Sequence, residues 1–326
     1  MSSRHETPQR ILIDTDPGVD DSMAILFAFN SPEVKVEGLT TVFGNGGTET
    51  TTANALRLVE MAGRTDVPVA RGAEQPLLRP FTGEGWRVHG RNGLGEVELP
   101  APQVEPERRR AAQFIVDTVM ANPGEITLVP LGPLTNIALA VSLEPRIAEQ
   151  VQEVVLMGGA ANGQGNASAV AEANIRNDPE AAHVVFQAPW RVTMVGLDVT
   201  RKVIMTPEYV DALAATGNPF TTFIGKITQH YMDFYRTYVG LDGFHVHDSS
   251  AVAYVIDPTL FETVALPVDV EIHSPHNFGL TSADWRKRPG REPNVNVCVE
   301  VDSERLLELY RRRLQGMETL ATEAAS

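Results

Sequence analysis

Ile11-Leu12-Ile13-Asp14-Thr15-Asp16-Pro17-Gly18-Val19-Asp20-Asp21 is the stretch on which the reading of this chain turns. A short β-branched run, residues 11–13, leads into four aspartates broken by Pro17-Gly18, and an amphipathic segment, residues 20–30, follows at once. That is a strand, a tight turn and a helix, the opening of a βαβ unit. The rhythm repeats: residues 34–41 precede 48–62, residues 126–130 precede 134–143, and residues 154–157 precede 179–187, with 192–195 as the next strand. The strands are apolar almost throughout, as expected when both faces of a sheet are covered. The pattern predicts an α/β single domain, a Rossmann-like doubly wound mostly parallel sheet with helices on both faces. Further helices at 207–216, 219–238 and 249–256, strands at 264–272 and 295–301, and a closing helix at 303–321 make up extra C-terminal helices around the same sheet. With no linker in between, residues 11–321 read as one domain, residues 1–10 as a polar N-terminal tail and 322–326 as a C-terminal tail.

Composition narrows the function classes. The 326 residues are 43% hydrophobic and 21% charged, which is globular and excludes a mainly disordered or collagen-like chain. The 27 Lys and Arg against 42 Asp and Glu leave a net charge of −15, which repels phosphate backbones and anionic lipid. Neither a nucleic acid polymer nor a membrane is an expected partner. The first ten residues lack the apolar core of a secretory signal, and no stretch approaches the about 20 apolar residues of a membrane span. The lone Cys298 sits in an alternating apolar strand and reads as a small buried side chain in a reducing compartment, so the cytoplasm is the expected location.

The four acids need a physical reason. One aspartate at a helix start is a routine cap, and Asp20 or Asp21 can fill that role; four exceed it. Like charges packed at a strand end raise one another's pKa values unless a cation compensates, so a hard metal ion with oxygen ligands is the economical reading. An EF-hand loop beginning at Asp14 fails, because Gly18 and Ile25 stand where an oxygen ligand and a glutamate are required. A phosphatase of the haloacid-dehalogenase type also carries Asp-x-Asp after its first strand, but this turn continues as Pro-Gly-Val-Asp-Asp and offers no basic residue to clamp phosphate. Two distant segments supply complementary chemistry. His245-Val246-His247-Asp248 places a titratable imidazole beside another carboxylate, ahead of a helix. Asn166, Glu172 and Asn174, in the irregular segment 158–177 after a strand, form a hydrogen-bonding set suited to a polyol. The aperiodic stretch 72–106 reads as an active-site loop.

Taken together and in order, these pieces resemble the inosine-uridine-preferring nucleoside hydrolase family, whose hallmark Asp-x-Asp-Pro-Gly-x-Asp-Asp stands here at residues 14–21 without departure. Thr40-Thr-Val-Phe-Gly-Asn45, Val88-His89-Gly90, Val129-Pro-Leu-Gly-Pro-Leu-Thr-Asn136 and Ala251-Val-Ala-Tyr-Val-Ile-Asp-Pro258 extend the resemblance over nearly the whole chain. The resemblance implies one Ca²⁺ held by Asp16, Asp21, the backbone carbonyl of Leu131, and Asp248. It implies that Asp16 deprotonates the attacking water, that Asp20 meets the ribose 2′-hydroxyl, and that Asn45, Asn166, Glu172 and Asn174 hold the rest of the sugar. His247 is implied on the base side as a proton donor, with an ordinary imidazole value near about 6.5, and His89 as a further contact. The implied reaction is hydrolysis of a ribonucleoside to base and ribose. Relatives are commonly dimers or tetramers, so a homo-oligomer is expected.

Base preference is a finer matter. Tyr231, Met232, Phe234, Tyr235 and Tyr238 crowd the implied base pocket, and their helical spacing also suits plain core packing. Tyr231 and Tyr235, 16 and 12 residues before His247, resemble the broad inosine-uridine type more than the pyrimidine-specific type, which stays open. Ala173 stands where a larger aromatic is common, leaving one wall of the base pocket more open. A non-catalytic ribonucleoside-binding protein is the alternative from another class.

Overall fold

A computed structural model describes residues 7–83, 85–286 and 289–316 of the chain. Its centre is an eight-stranded sheet. Strands β1 (Gln9–Thr15), β2 (Val34–Thr41), β3 (Val69–Arg71), β4 (Ile126–Pro130), β5 (Glu153–Met157) and β6 (Val192–Val195) lie in the order β3-β2-β1-β4-β5-β6, all parallel. Strand Val295–Val301 adds to β6 in parallel, and Phe261–Leu266 closes the edge antiparallel to it.

The period of two along each strand sorts side chains onto two cores. Ile11, Ile13, Val129, Val155 and Met157 join the helices Val19–Phe29, Thr48–Met61, Pro219–Phe234, Asp248–Ile256 and Ser303–Gln315 on one face. Leu12, Leu128, Val154 and Leu156 join Ala111–Ala121, Thr135–Leu143 and Pro179–Gln187 on the other. The expected doubly wound architecture, with helices on both faces and extra helices at the C-terminal end, is therefore the observed one. Cys298 is fully buried in the first core. Among the described residues, no helix is long and apolar enough to cross a membrane.

Differences from the sequence reading have local causes. The helix expected over 219–238 runs α-helically only over Pro219–Phe234 and then continues as a π turn, Tyr235–Val239. The run expected as one strand at 264–272 breaks at Pro267 into Phe261–Leu266 and Val268–Val270, as a residue without an N–H donor would dictate. The closing helix is seen over Ser303–Gln315; its expected extension to residue 321, the tail 322–326 and most of the N-terminal tail lie outside the described residues.

The strand order reverses between β1 and β4, so the carboxyl ends of these two strands diverge into a crevice, the usual ligand position in an open α/β sheet. Asp14 pairs with Thr40 on β2 and with Pro130 on β4, which places the acidic turn and Leu131 side by side at that crevice.

Candidate active site

β1 ends at Thr15, and the turn Asp16-Pro17-Gly18 delivers the chain into helix α1 (Val19–Phe29). Asp21 folds back over this helix start. Its Oδ2 accepts from the Gly18 N–H at 3.0 Å and from Asn45 Nδ2 at 2.8 Å, and its Oδ1 accepts from the Thr15 hydroxyl at 2.5 Å and the Asp16 N–H at 3.2 Å. Asp16 is held differently. Its Oδ2 accepts from the Asn45 N–H at 2.7 Å, while its Oδ1 is buried without a protein partner. The carboxylate is wedged between two glycines: a Cβ at Gly44 would lie 2.0 Å from Oδ2 and one at Gly132 would lie 2.5 Å from Oδ1. No larger residue fits at either position without moving Asp16.

Asp20 accepts from the Tyr231 hydroxyl at 3.1 Å, and Asp248, the first residue of helix Asp248–Ile256, comes in from the far end of the sequence. Carboxylate oxygens of Asp20, Asp21 and Asp248 lie within 4.8 Å of one another. Burial, first of all, pushes every one of these acids upward: Asp14 to about 7, Asp20 to about 6, and Asp16 and Asp248 well above the ordinary range, with their neighbours' charges adding to the effect for Asp16, Asp21 and Asp248. Among the described residues no Lys or Arg pairs with them; His89 Nδ1 stands 3.6 Å from an Asp20 oxygen. A buried anionic cluster without a cation is costly, and its oxygen-only donor set suits a hard divalent ion. The unpartnered Asp16 Oδ1 points the same way.

Asp14, to which the sequence reading gave no role, braces this turn. Its Oδ1 accepts from the Thr40 hydroxyl at 2.5 Å and from Asn136 Nδ2 at 2.7 Å, and the Asn136 side-chain oxygen in turn accepts from the Ala73 N–H at 2.9 Å. The first strand is thereby tied to the start of the long loop over residues 72–106.

Above the acids lies a cavity of about 710 Å³. Asp20, Asn45, His89, Leu131, Asn166, Glu172, Asn174, Tyr231, Tyr235, His247 and Asp248 all reach its wall, so the sequence-derived site residues converge on one place; Asp16 and Asp21 connect to it through Asn45. The long loop contributes Phe81 and Thr82, with its one helical turn, Trp86–His89, presenting His89.

Several of these side chains carry structural duties as well. Glu172 caps helix Ala173–Asn177, accepting from the N–H groups of Asn174, Ile175 and Gly159 at 2.8–3.0 Å. Asn166 accepts from the Ala173 N–H at 3.0 Å. Asn174 donates to the Leu131 carbonyl at 2.6 Å and to that of Met157 at 3.2 Å, so the carbonyl implied as a metal ligand already has a protein donor.

His247 is suspended between the Thr200 hydroxyl, 2.8 Å from Nδ1, and the Tyr235 hydroxyl, 2.9 Å from Nε2. The ordinary imidazole value expected from sequence does not hold: burial first, then His245 and Arg201, push it down to about 3. His89 is lowered to about 4, chiefly by burial, and its Nδ1 accepts the Val19 N–H at 3.2 Å. Both rings are therefore neutral near neutral pH. Thr200 was missed in sequence because nothing marks a threonine 47 residues before its partner.

The aromatic group divides. Tyr231 is buried and packs edge-on against Tyr235 and Phe244, so it serves both core and cavity. Met232 belongs to the core alone, whereas Phe234, Tyr235 and Tyr238 line the cavity. The π turn adds a residue to the helical repeat just there, which re-aims Tyr235 and leaves Tyr238 at the open rim.

Residues 11–308 match the model of the family described as inosine-uridine preferring nucleoside hydrolase. The chain is 43% identical over 300 residues to the inosine-uridine preferring nucleoside hydrolase of Crithidia fasciculata, covering 91% of this chain and 95% of that protein. Among solved structures it superposes on a plant nucleoside hydrolase with a TM-score of 0.91, at 36% identity over 95% of this chain and 99% of the other. It also superposes on the purine-preferring ribonucleoside hydrolase of Gardnerella vaginalis with a TM-score of 0.90, at 34% identity over 94% and 98%. Fold and site thus define a hydrolytic enzyme of the N-glycosyl class. The chain belongs to the inosine-uridine preferring nucleoside hydrolase family.

Proposed function

We propose that this enzyme uses Ca²⁺ to hydrolyse the N-glycosidic bond of ribonucleosides, releasing free base and ribose, with a broad base range of the inosine-uridine type. The observation that carries the reading is a nucleoside-sized cavity set over buried acids that, among the described residues, have no Lys or Arg partner. Asp16, Asp21, the Leu131 carbonyl and Asp248 would hold the ion. When bound, it would neutralise the acids and activate water as a Lewis acid.

The chain's own residues divide the remaining work. The water proton passes to the Asp16 carboxylate, whose Oδ1 lacks a competing donor. Asp20 takes the 2′-hydroxyl, and Asn45, Asn166, Glu172 and Asn174 the rest of the ribose. Water oxygen bonds to the anomeric carbon as the C–N bond breaks and its electron pair leaves with the base. His247, neutral and hydrogen-bonded to the Tyr235 hydroxyl, would help stabilise the departing base through that contact instead of acting as a charged acid, and the proton the base finally carries would come from solvent. Ala173 puts only a methyl group on the cavity wall, where a larger aromatic would narrow the room beside the base. Resemblance alone adds a homo-oligomer, dimer or tetramer, and the lone buried cysteine suits a reducing, cytoplasmic location. Base release from inosine, uridine, cytidine and adenosine tests the reading. Release from inosine and uridine is expected, release from uridine and cytidine alone would reassign the enzyme to the pyrimidine-specific type, and no release from any would overturn it in favour of a binding protein.

A further inference from the structure

The reaction develops two charges, and the acids answer only one of them. Positive charge on the ribose ring faces Asp20 and its neighbours, while the electron pair of the broken bond leaves on the base, on the side of His247 and Tyr235. Preorganised positive groups aimed at a developing negative charge are among the largest contributions to catalysis. His247 has both ring nitrogens engaged, with Thr200 and with Tyr235. A permanent cation would have to come from elsewhere on the wall.

Among the described residues three arginines reach the cavity: Arg87, Arg176 and Arg201. Arg87 and Arg176 are exposed, and the Arg87 guanidinium sits 5.6 Å from the ring centre of Trp86. Arg201 is half-buried and directly follows Thr200, the residue that grips His247. Its Nη1 donates to the Gln164 carbonyl at 3.2 Å and its Nη2 to the Gly165 carbonyl at 2.6 Å, and among the described residues it has no carboxylate partner. These two neutral carbonyls fix the guanidinium without cancelling its charge, and they engage only two of its five N–H donors. It lines the same cavity wall as Tyr235, His245 and His247, and its chain neighbour Thr200 bonds His247, which places it on the base side.

We propose that Arg201 is a further catalytic residue for nucleoside hydrolysis, stabilising the negative charge that gathers on the base, through its ring nitrogens and carbonyl oxygens, as the C–N bond breaks. This rests on the hydrolytic reading above. The base leaves with the electron pair of the broken bond and afterwards takes up a proton from solvent, while the water that attacks the sugar gives its proton to Asp16. The guanidinium itself neither gains nor loses a proton.

A leaving group that needs no help separates this role from a structural one. Because Arg201 also holds the loop that carries Asn166, a purely positioning role would damage every ribose substrate alike. The test compares turnover of inosine and uridine with that of p-nitrophenyl β-D-ribofuranoside, whose phenolate departs readily, in wild type, Arg201→Met and Arg201→Lys. The expected result for Arg201→Met is a fall of about 100-fold in the ratio of nucleoside to p-nitrophenyl riboside turnover, the size seen when one preorganised donor is removed. Arg201→Lys, which keeps the charge, should recover most of that ratio. An unchanged ratio in Arg201→Met, whether both substrates fall in parallel or neither changes, overturns the proposal. So does an Arg201→Lys ratio as low as that of Arg201→Met. Wild type that cleaves none of the substrates would instead overturn the hydrolytic reading on which the proposal stands.

Discussion

Asp16→Asn changes one charge and almost no volume, and the structure gives it two effects of opposite sign. An amide oxygen in the place of Oδ2 still accepts from the Asn45 N–H, so the turn keeps its anchor. The group lost is the carboxylate that takes the water proton. Loss of a general base alone lowers turnover by about 10²- to 10⁴-fold, and the missing metal ligand adds to that. Stability of the metal-free protein should move the other way. Burial, and then the charge of Asp21, hold the Asp16 carboxyl well above its ordinary range. A value raised by folding favours the folded protein below the carboxyl's ordinary range, and the benefit is lost as the pH climbs toward the folded value. At neutral pH the aspartate is therefore a burden that asparagine lifts. Lifting that buried and repelled charge, at about 1.4 kcal/mol for each pK unit by which folding raises it, raises the melting midpoint by about 2–4 °C per kcal/mol relieved. Base release followed by ultraviolet absorbance with Ca²⁺ present, and calorimetry with chelator present, read the two effects separately. Wild-type turnover in a folded Asp16→Asn protein would remove the residue from the mechanism, and a lowered metal-free midpoint would refute the reasoning about its buried charge.

The sugar contacts predict strong rejection of 2′-deoxynucleosides, because Asp20 would be left facing no hydroxyl; 2′-deoxyuridine should be cleaved at least about 10³-fold less efficiently than uridine, measured as kcat/KM, and equal efficiency would contradict the assignment of Asp20. Glu172→Ala should lower the melting midpoint as well as activity, since three backbone N–H groups lose their acceptor at about 1–3 kcal/mol for each that stays buried and unpaired; calorimetry showing no change would mean that the cap is dispensable.

The acidic turn was legible because its residues are contiguous and its chemistry is unusual: four carboxylates between a strand and a helix demand compensation whatever the fold around them. The strands β2, β4 and β6 and the helix Pro179–Gln187 were legible from apolar runs with clear ends. Strand β3 was not, since three residues beside a long loop carry no periodicity, and neither was Ala111–Ala121, whose helical start follows a Pro- and charge-rich segment. The π turn at Tyr235–Val239 escaped for a different reason: one extra residue in a helical repeat leaves the sequence pattern intact while it changes the direction of every side chain beyond it. Long-range pairings such as Asp14 with Asn136, 122 residues apart, and Thr200 with His247 exist only once the sheet has brought their strand ends together. The sequence also could not show how deep His247 lies, and burial is what makes its ring neutral.

Calcium dependence of inosine and uridine hydrolysis, measured on one preparation before chelation, after exhaustive chelation and after Ca²⁺ is added back, bears most directly on the reading of the buried acids as a metal-assisted nucleoside site. The account predicts that base release disappears with the metal and returns with Ca²⁺. Full hydrolysis by a protein shown by elemental analysis to be free of metal would contradict it.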